Sequence, residues 1–298
     1  MITILGATGN VGGKIADLLI KQGEPVRLVA RSADRLRTFV GKNAGAFVGD
    51  IKNTAFLAKA FTGVDAVFTL IPPDPKAENF MQHAGTASES IARALEIAEV
   101  RSVVNLSSIG AELTTGTGPI KGLHLQEERL DRIKGLNVLH LRAAYFMENV
   151  LGNIGMIKSQ GVSGSAVRGD LAIPMTATRD IAAFAADRLV KRNFIGSSVR
   201  YLLGQRDLTM TESAEIIGKK IGKPGLSYVQ FPYEEAEKAM VAMGLSPDMS
   251  RNYIEMSRAF NDGRIKRIER TSGKTTSTSF EAFCDEVFVP LYALQKAA

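Results

Sequence analysis

The chain has 298 residues, of which 45% are hydrophobic and 23% are charged, so it is long enough to form a large domain with a sizeable core. No apolar run is as long as a membrane span and no basic leader precedes the first apolar stretch, which predicts neither a membrane segment nor a signal peptide. The net charge is +6 and Cys284 is the single cysteine, which excludes a disulfide within the chain and favours a cytoplasmic location.

The chain begins with a predicted strand at 2–5, a glycine-rich turn at 6–12 and a helix with one apolar face. Glycines at three-residue steps between a strand and a helix are typical of a dinucleotide-binding turn. In such turns Gly6 permits the tight bend, Gly9 lets the backbone approach a pyrophosphate, and Gly12 lets the helix pack closely. The predicted cofactor contacts in this turn are Gly6, Thr8, Gly9, Asn10, Val11 and Gly12.

Strands and helices then alternate through the first half of the chain. Strands are predicted at 26–30, 46–50, 66–71, 103–107 and 138–141, and helices at 32–40, 54–61, 77–98 and 123–133. Strands of nearly continuous Val, Ile and Leu that are separated by helices indicate a parallel sheet covered on both faces. The sequence therefore predicts an α/β fold with a doubly wound, Rossmann-type parallel sheet.

The end of the second predicted strand indicates which dinucleotide is bound. Arg31 stands there, Arg35 follows one helical turn later, and neither Asp nor Glu occupies the strand end. A guanidinium matches the extra phosphate of NADP with paired N–H donors. We therefore predict NADP(H) in preference to NAD(H). The alternative is that Arg31 is a surface residue that forms a local ion pair with Asp34.

Ligands of open parallel sheets bind outside the carboxyl ends of the strands. Asp50 follows the third predicted strand and could accept a hydrogen bond from adenine. The residues expected to line the cofactor crevice at the next two strand ends are Leu70, Ile71, Pro72 and Ser107. Asp50 and Ser107 could equally serve as turn and capping residues.

The pattern changes after about residue 150, where glycines interrupt the chain. Helices are predicted at 178–190, with Thr178 as the cap, and at 211–221, 233–243, 248–261 and 279–295, with short strands near 199–203 and 226–230. We predict an NADP-binding domain at 1–148 and a smaller α+β substrate-binding domain at 149–298, with the helix at 178–190 packed back on the first domain. An apolar substrate wall could come from Met147, Met156, Met175, Met240, Met243 and Phe231, although such residues are more often plain core.

Several kinds of catalytic site are missing from the sequence. No tyrosine has a lysine four residues later, no Gly-x-Ser-x-Gly run occurs, and the three histidines lack metal-ligand spacing, so no metal site is predicted. Glu127 and Glu128 are expected to be solvated, and Cys284 to be a core residue. The basic run at 264–270 lacks interleaved aromatic residues and is expected to be a solvated face, so no nucleic acid is predicted as a partner.

Four features together resemble the NmrA-like family, an atypical branch of the short-chain dehydrogenases and reductases. They are the turn at 6–12, Arg31, the segment 124–128 and the run Leu-Arg-Ala-Ala-Tyr-Phe-Met-Glu-Asn at 141–149. The stretch at 174–182 also resembles the family, and the likeness spans nearly the whole chain. Tyr145, in the most specific run, is included among the predicted cofactor contacts.

The resemblance implies one of two functions. Some members are NADPH-dependent reductases of quinones, triphenylmethane dyes, azo dyes or phenylpropanoid ethers, and others sense NADP without turnover and act through protein partners. We expect an oxidoreductase for a small conjugated acceptor, acting as a monomer or homodimer, with the NADP(H)-sensing regulator as the alternative. His124 stands where the phenylpropanoid branch has a catalytic lysine, and Lys121 could substitute for it.

The resemblance leaves the catalytic roles open. His124 could protonate the reduced acceptor, or it could be a structural helix residue bonded to the backbone. Asn149 could orient the substrate or the nicotinamide amide, or it could simply cap the following helix.

Overall fold

The computed structural model describes residues 1–39 and 43–294. Its strands are β1 (Ile2–Leu5), β2 (Val26–Ala30), β3 (Ala44–Val48), β4 (Ala66–Thr69), β5 (Ser102–Ser108), β6 (Asn137–Ala143), β7 (Tyr145–Phe146), β8 (Val162–Ser165), β9 (Ile173–Thr176), β10 (Ser197–Leu202), β11 (Asp207–Leu208) and β12 (Ser227–Gln230). Its helices are α1 (Gly12–Lys21), α2 (Ala33–Leu36), α3 (Thr54–Phe61), α4 (Phe80–Ile97), α5 (Ile120–Asp131), α6 (Ile154–Gln160), α7 (Thr178–Lys191), α8 (Met210–Lys220), α9 (Tyr233–Ala242), α10 (Pro247–Asn261), α11 (Phe280–Phe283) and α12 (Val289–Leu294).

The large sheet has seven parallel strands in the order β10-β6-β5-β4-β1-β2-β3. The strand order reverses beside β1, which is the arrangement of a doubly wound sheet. On one face α1 and α7 share a buried cluster that includes Ile15, Leu19 and Ile181. On the other face the buried cluster includes Leu57 of α3 and Leu95 of α4. The predicted α/β fold with a doubly wound parallel sheet is confirmed.

Strand β10 is the main departure from the predicted arrangement. The sequence analysis expected a short strand near 199–203 within the second half's own smaller unit. In the structure β10 pairs in parallel with β6 and forms one edge of the large sheet, with Val199 opposite His140. Helix α7, which was expected to pack back on the first half, lies against α1 and directly precedes β10 in the chain. The second half therefore contributes the edge strand β10 to the large sheet and the helix α7 to one of its faces.

The start of α7 is capped differently from the prediction. Its N-cap is Ala177, and the side chain of Thr178 does not cap the helix. Instead both carboxylate oxygens of Glu148 accept the backbone N–H of Thr178 at 3.1 Å, and Glu148 also accepts the Thr178 hydroxyl. The prediction of Thr178 as the cap is wrong because a carboxylate from the preceding 3-10 helix, Met147–Asn153, satisfies the helix start.

The remaining strands form two small sheets beside the large one. Strand β9 lies between β7, which is parallel to it, and the antiparallel β11, while β8 pairs with β12. The predicted helix at 279–295 consists of α11, a π-helical turn at Cys284–Phe288, and α12. Cys284 is buried in a core cluster with Phe280, so the prediction of a core cysteine is confirmed. Burial raises the pKa of the Cys284 thiol to about 12.

Two further expectations concern the protein surface. The basic run at 264–270 is not simply a solvated face, because Arg267 and Arg270 both pair with Asp207 and Ile265 is buried. The predicted helix at 32–40 is short in the structure, and its predicted end at Val40 lies outside the described residues. Along the described ranges, no helix combines the length and the hydropathy that a bilayer crossing requires.

Candidate functional site

A cleft of about 710 Å³ lies at the carboxyl ends of the large sheet's strands. The structure brings into it all of the residues predicted to contact the cofactor, namely Gly6, Thr8, Gly9, Asn10, Val11, Gly12, Arg31, Arg35, Asp50, Leu70, Ile71, Pro72, Ser107 and Tyr145. They come from loops that follow different strands, and parallel strands place those loops at one edge. The cleft therefore lies where a doubly wound sheet binds its ligand.

The glycine turn at 6–12 lines the cleft at the start of α1. Gly6 has a φ of +63°, and its carbonyl oxygen accepts the N–H of Gly9 at 2.9 Å. A Cβ at Gly12 would overlap the carbonyl oxygen of Gly6, and one at Gly9 would lie 3.3 Å from the same oxygen. The N-cap Val11 provides no side-chain cap, and the first turn of α1 has no acidic residue. The positive end of the helix dipole is thus left for an anionic group.

Arg31 and Arg35 are exposed at the cleft, and neither has an ion pair or hydrogen bond with the rest of the described chain. Asp34 pairs with Arg37 at 3.1 Å, so the alternative of a local Arg31–Asp34 ion pair is not observed. Two unpaired guanidinium groups beside the end of β2 leave a positive site at the mouth of the cleft. Such a site suits a phosphate group.

The sequence leaves two roles open for Asp50 and for Ser107, a cofactor contact or a turn or capping residue, and the structure gives the two residues different surroundings. The Oδ1 atom of Asp50 accepts the backbone N–H of Lys52 at 2.9 Å, so this carboxylate takes part in a turn as well as lining the cleft. Ser107 is only 3% exposed, and its hydroxyl has no hydrogen-bond partner in the described structure. A buried hydroxyl without a partner is rare in proteins. Ser107 is therefore available to a polar group of a ligand.

The three predicted catalytic residues are separated by the structure. Asn149 lines the cleft, and it caps neither the 3-10 helix nor α6. Lys121 and His124 are absent from the described cleft lining. The Nζ atom of Lys121 lies 2.7 Å from a carboxylate oxygen of Glu255.

His124 shows the structural contact that the sequence analysis named as its alternative role. Its Nδ1 lies 2.9 Å from the carbonyl oxygen of Ala111, to which it donates, and its Nε2 lies 3.8 Å from Glu128. Two of its neighbours on α5, Ile120 and Leu123, do line the cleft. In this conformation α5 presents an apolar face to the cleft and holds His124 away from it.

The guanidinium of Arg142, the first residue of the run at 142–149, connects several elements. Arg142 donates to both carboxylate oxygens of Glu127 at 2.6 and 3.1 Å, to Glu112 at 3.0 Å and to the hydroxyl of Tyr201 at 3.1 Å. Glu127 is 5% exposed, so the expectation of a solvated carboxylate is wrong. Burial disfavours the charge of Arg142, but the hydrogen bonds and charge of Glu127 outweigh it and raise the pKa of Arg142 above its usual range. The pair joins α5 to β6.

Two tyrosines, Tyr145 and Tyr253, are among the residues that line the cleft. Burial raises the pKa of Tyr145 to about 12, with Tyr228 adding to the shift and the hydrogen bond from Asn149 opposing it. Burial also raises the pKa of Tyr253 above its ordinary value. Both hydroxyls therefore stay protonated near neutral pH and can donate hydrogen bonds.

The apolar wall of the cleft was not predicted from the sequence. It consists of Phe80, Leu123, Tyr253, Met256 and Phe260. The methionines and Phe231 that the sequence offered for a substrate wall are absent from the described lining. Met147 and Met175 lie in the core instead, and Met243 is exposed. No pattern in the sequence predicts this wall, because its residues lie on α4, α5 and α10, which come together only through tertiary packing.

Comparisons with known proteins agree with this architecture. The model of the NmrA-like family matches residues 1–284. The uncharacterized oxidoreductase YesF of Bacillus subtilis (strain 168) is 26% identical over 282 residues, which cover 92% of this chain and 90% of that protein.

Two solved structures share the fold. The NADPH-dependent quinone oxidoreductase QOR2 of Escherichia coli, complexed with NADPH, has a TM-score of 0.81 at 20% identity and covers 97% of this chain and 100% of its own. The Citrobacter sp. triphenylmethane reductase, complexed with NADP(H), has a TM-score of 0.80 at 18% identity, with 96% of this chain and 99% of its own covered.

Proposed function

The chain belongs to the NmrA-like family, and we propose that it is an NADPH-dependent oxidoreductase that transfers hydride to a small conjugated acceptor such as a quinone or a dye. The observation that carries the proposal is one cleft with two unlike parts, a polar glycine turn and an apolar aromatic wall. The similar proteins described above include an oxidoreductase and structures with NADPH or NADP(H), which supports the same reading.

The polar part of the cleft fits the dinucleotide. Gly12 lets the start of α1 lie against the backbone of Gly6, where a Cβ would overlap, and the start of α1 offers backbone N–H groups to a diphosphate. Arg31 and Arg35 would hold the phosphate that distinguishes NADP from NAD. The unpartnered hydroxyl of Ser107 would bond a polar group of the dinucleotide. When bound, the reduced nicotinamide supplies the hydride.

The apolar part of the cleft suits a flat acceptor. Phe80, Tyr253 and Phe260 supply aromatic surface, which stacks on conjugated rings and excludes water from the reacting atoms. Orientation in a dry pocket is the main contribution that hydride transfer needs from a protein. We propose that 1–148 holds the cofactor and that 149–298 supplies most of this wall through α10, while β10 completes the large sheet and α7 covers part of it.

Protonation of the reduced acceptor remains a separate proposal. Asn149 is placed in the cleft to orient the acceptor or the nicotinamide amide. His124, with Lys121 as its substitute, is proposed as the proton donor; because both lie outside the described cleft lining, the donor's side chain would have to move towards the cleft. Loss of turnover with unchanged NADPH binding in His124→Ala supports His124, and unchanged turnover removes it from the mechanism.

A panel of quinones and azo dyes tests the proposed activity. Mixing each with NADPH and the protein should remove the near-ultraviolet absorbance of NADPH faster than the background reaction. The same panel with Gly12→Ala is the control for dependence on the cleft. Tight NADP(H) binding without consumption of NADPH by any acceptor would contradict the reductase and favour the regulatory protein that senses NADP(H).

A further inference from the structure

One histidine that the proposed function does not use lies in the wall of the same cleft. The side chain of His83, in the first turn of α4, is 9% exposed, and its Nε2 lies 3.1 Å from the carbonyl oxygen of Pro72. Because a carbonyl oxygen only accepts, Nε2 donates this hydrogen bond, and in the neutral ring Nδ1 is then an acceptor. Nδ1 is buried and has no hydrogen-bond partner in the described parts of the chain. A buried acceptor of this kind calls for a donor.

A second acceptor lies beside it. The Oδ2 atom of Asp74 is 3.9 Å from Nδ1 of His83, which is beyond hydrogen-bonding distance. The other carboxylate oxygen, Oδ1, accepts the backbone N–H of Lys76 at 3.1 Å, so the carboxylate is fixed to its loop. Asp74 also lines the cleft, and its side chain is 34% exposed. Two neighbouring acceptors are complementary to a ligand group that donates hydrogen bonds.

The loop that carries Asp74 is held in place by α10. The backbone N–H of Ser246 donates to the carbonyl oxygen of Pro75 at 2.8 Å, and the Ser246 hydroxyl donates to that of Ala77. Asp248 accepts the backbone N–H of Phe80 at 2.8 Å, which fixes the start of α4. The two acceptors are therefore positioned before a ligand arrives, which lowers the ordering cost of binding.

We propose that His83 and Asp74 form a hydroxyl-binding pair, in which one hydroxyl of the ligand donates to Nδ1 of His83 and an adjacent hydroxyl or N–H of the ligand donates to Oδ2 of Asp74. This inference rests on the proposed function, because it takes the ligand to be the dinucleotide or the acceptor in this cleft. The hydroxyl has two possible sources, a ribose of the dinucleotide or a substituent of the acceptor. Both present the same donor.

Three variants separate the contributions of the two side chains. His83→Phe removes the acceptor, and His83→Asn keeps an acceptor oxygen close to the position of Nδ1. Asp74→Asn preserves Oδ1 for Lys76 and replaces Oδ2 with a donor. Loss of one hydrogen bond should weaken binding about three- to tenfold in His83→Phe and in Asp74→Asn, and less in His83→Asn.

The measurements identify the source of the hydroxyl. Calorimetric titration with NADP⁺ that shows the loss assigns the pair to the dinucleotide. Unchanged NADP⁺ binding assigns the hydroxyl to the acceptor if the variants also lose the wild type's preference in KM for 2-(hydroxymethyl)-1,4-naphthoquinone, which bears an un-ionised hydroxyl, over menadione, which has none. If both His83→Phe and Asp74→Asn match the wild type with all three probes, the pair binds no hydroxyl and the inference is overturned.

Nitrogen-15 spectra of the wild-type protein give a readout that does not depend on the folding of variants. The chain has three histidines, which simplifies assignment. Nδ1 of His83 should give the signal of an unprotonated ring nitrogen that moves when NADP⁺ or 2-(hydroxymethyl)-1,4-naphthoquinone is added. A wild-type protein that binds NADP⁺ but whose signal moves with neither ligand refutes the pair alone. Failure to bind NADP⁺ at all refutes the proposed function as well.

Discussion

Gly12 is the position where the cleft tolerates a side chain least. A Cβ there would overlap the carbonyl oxygen of Gly6, which is backbone and cannot move aside without opening the turn. We expect Gly12→Ala to abolish measurable NADPH binding and to lower the free energy of unfolding by about 1–3 kcal/mol, the usual cost of overpacking. Calorimetric titration and urea unfolding check both effects. The matched control is Gly155→Ala in α6, where a Cβ meets nothing within 4 Å, and an equal loss in that variant would contradict the steric argument.

Arg31 should decide between the two nicotinamide dinucleotides. Its guanidinium is exposed at the cleft and has no partner elsewhere in the described chain, so a phosphate would gain a charge-assisted hydrogen bond. Arg31→Ala should weaken NADPH binding by about tenfold or more and leave NADH binding nearly unchanged. Dissociation constants for both cofactors, measured at one ionic strength, give the ratio. A ratio equal to that of the wild type would show that Arg31 does not select the cofactor.

Single residues were predictable from the sequence where their role depends on local backbone. The glycine turn and Arg31 have positions fixed by one strand and one helix, so spacing alone identifies them. Glu127 was expected to be solvated, yet it is buried against Arg142, and Thr178 was expected to cap α7, yet Glu148 does so. These partners come from other elements of the chain, and single-chain periodicity contains no information about them.

At the scale of elements, Glu148 couples the 3-10 helix Met147–Asn153 to α7. Its carboxylate accepts the first backbone N–H of α7, where a helix leaves donors unsatisfied. Glu148→Ala should destabilise the fold by about 1–2 kcal/mol, which is typical for loss of a helix cap, and Glu148→Gln should cost less because it keeps an acceptor oxygen. Urea unfolding midpoints measure the order. Equal stability of Glu148→Ala and the wild type would show that the contact does not hold α7.

Most elements were predictable, and the exceptions have physical causes. The strands and helices of the first half lie within a few residues of their predicted bounds because their apolar periodicity is strong. Strand β10 was predicted, but its position at the edge of the large sheet was not, because its sequence does not specify that it pairs with β6. The helix predicted at 279–295 contains a π-helical turn, which the same periodicity does not reveal.

At the scale of the whole molecule, the cleft joins loops of the large sheet to α10, so a bound cofactor should stabilise the native state. A ligand that binds only the native protein adds about 2.7 kcal/mol at a concentration one hundred times its dissociation constant. NADPH should therefore raise Tm by several degrees, and it should raise that of Arg31→Ala less at the same concentration. Scanning calorimetry measures both shifts. Equal shifts in the two proteins would contradict the assigned cofactor contacts.

The proposed cofactor side and the proposed acceptor side of the cleft differ in how far the sequence anticipates them. The residues of the cofactor side were predicted from the known relation between strand ends and a bound dinucleotide. The acceptor side depends on Tyr253, Met256 and Phe260, which form one face of a helix about a hundred residues after the last predicted site residue. That face reaches the cleft because Ser246 and Asp248 attach α10 to the loop before α4.

The central claim is that the turn at 6–12 holds the diphosphate of a nicotinamide dinucleotide. A crystal structure of the protein grown with NADP⁺ tests this most directly. The account predicts electron density for the diphosphate against the backbone N–H groups of Gly9–Gly12, with the adenosine phosphate beside Arg31. A structure that shows the cofactor bound elsewhere, or this turn closed by side chains at saturating NADP⁺, would contradict it.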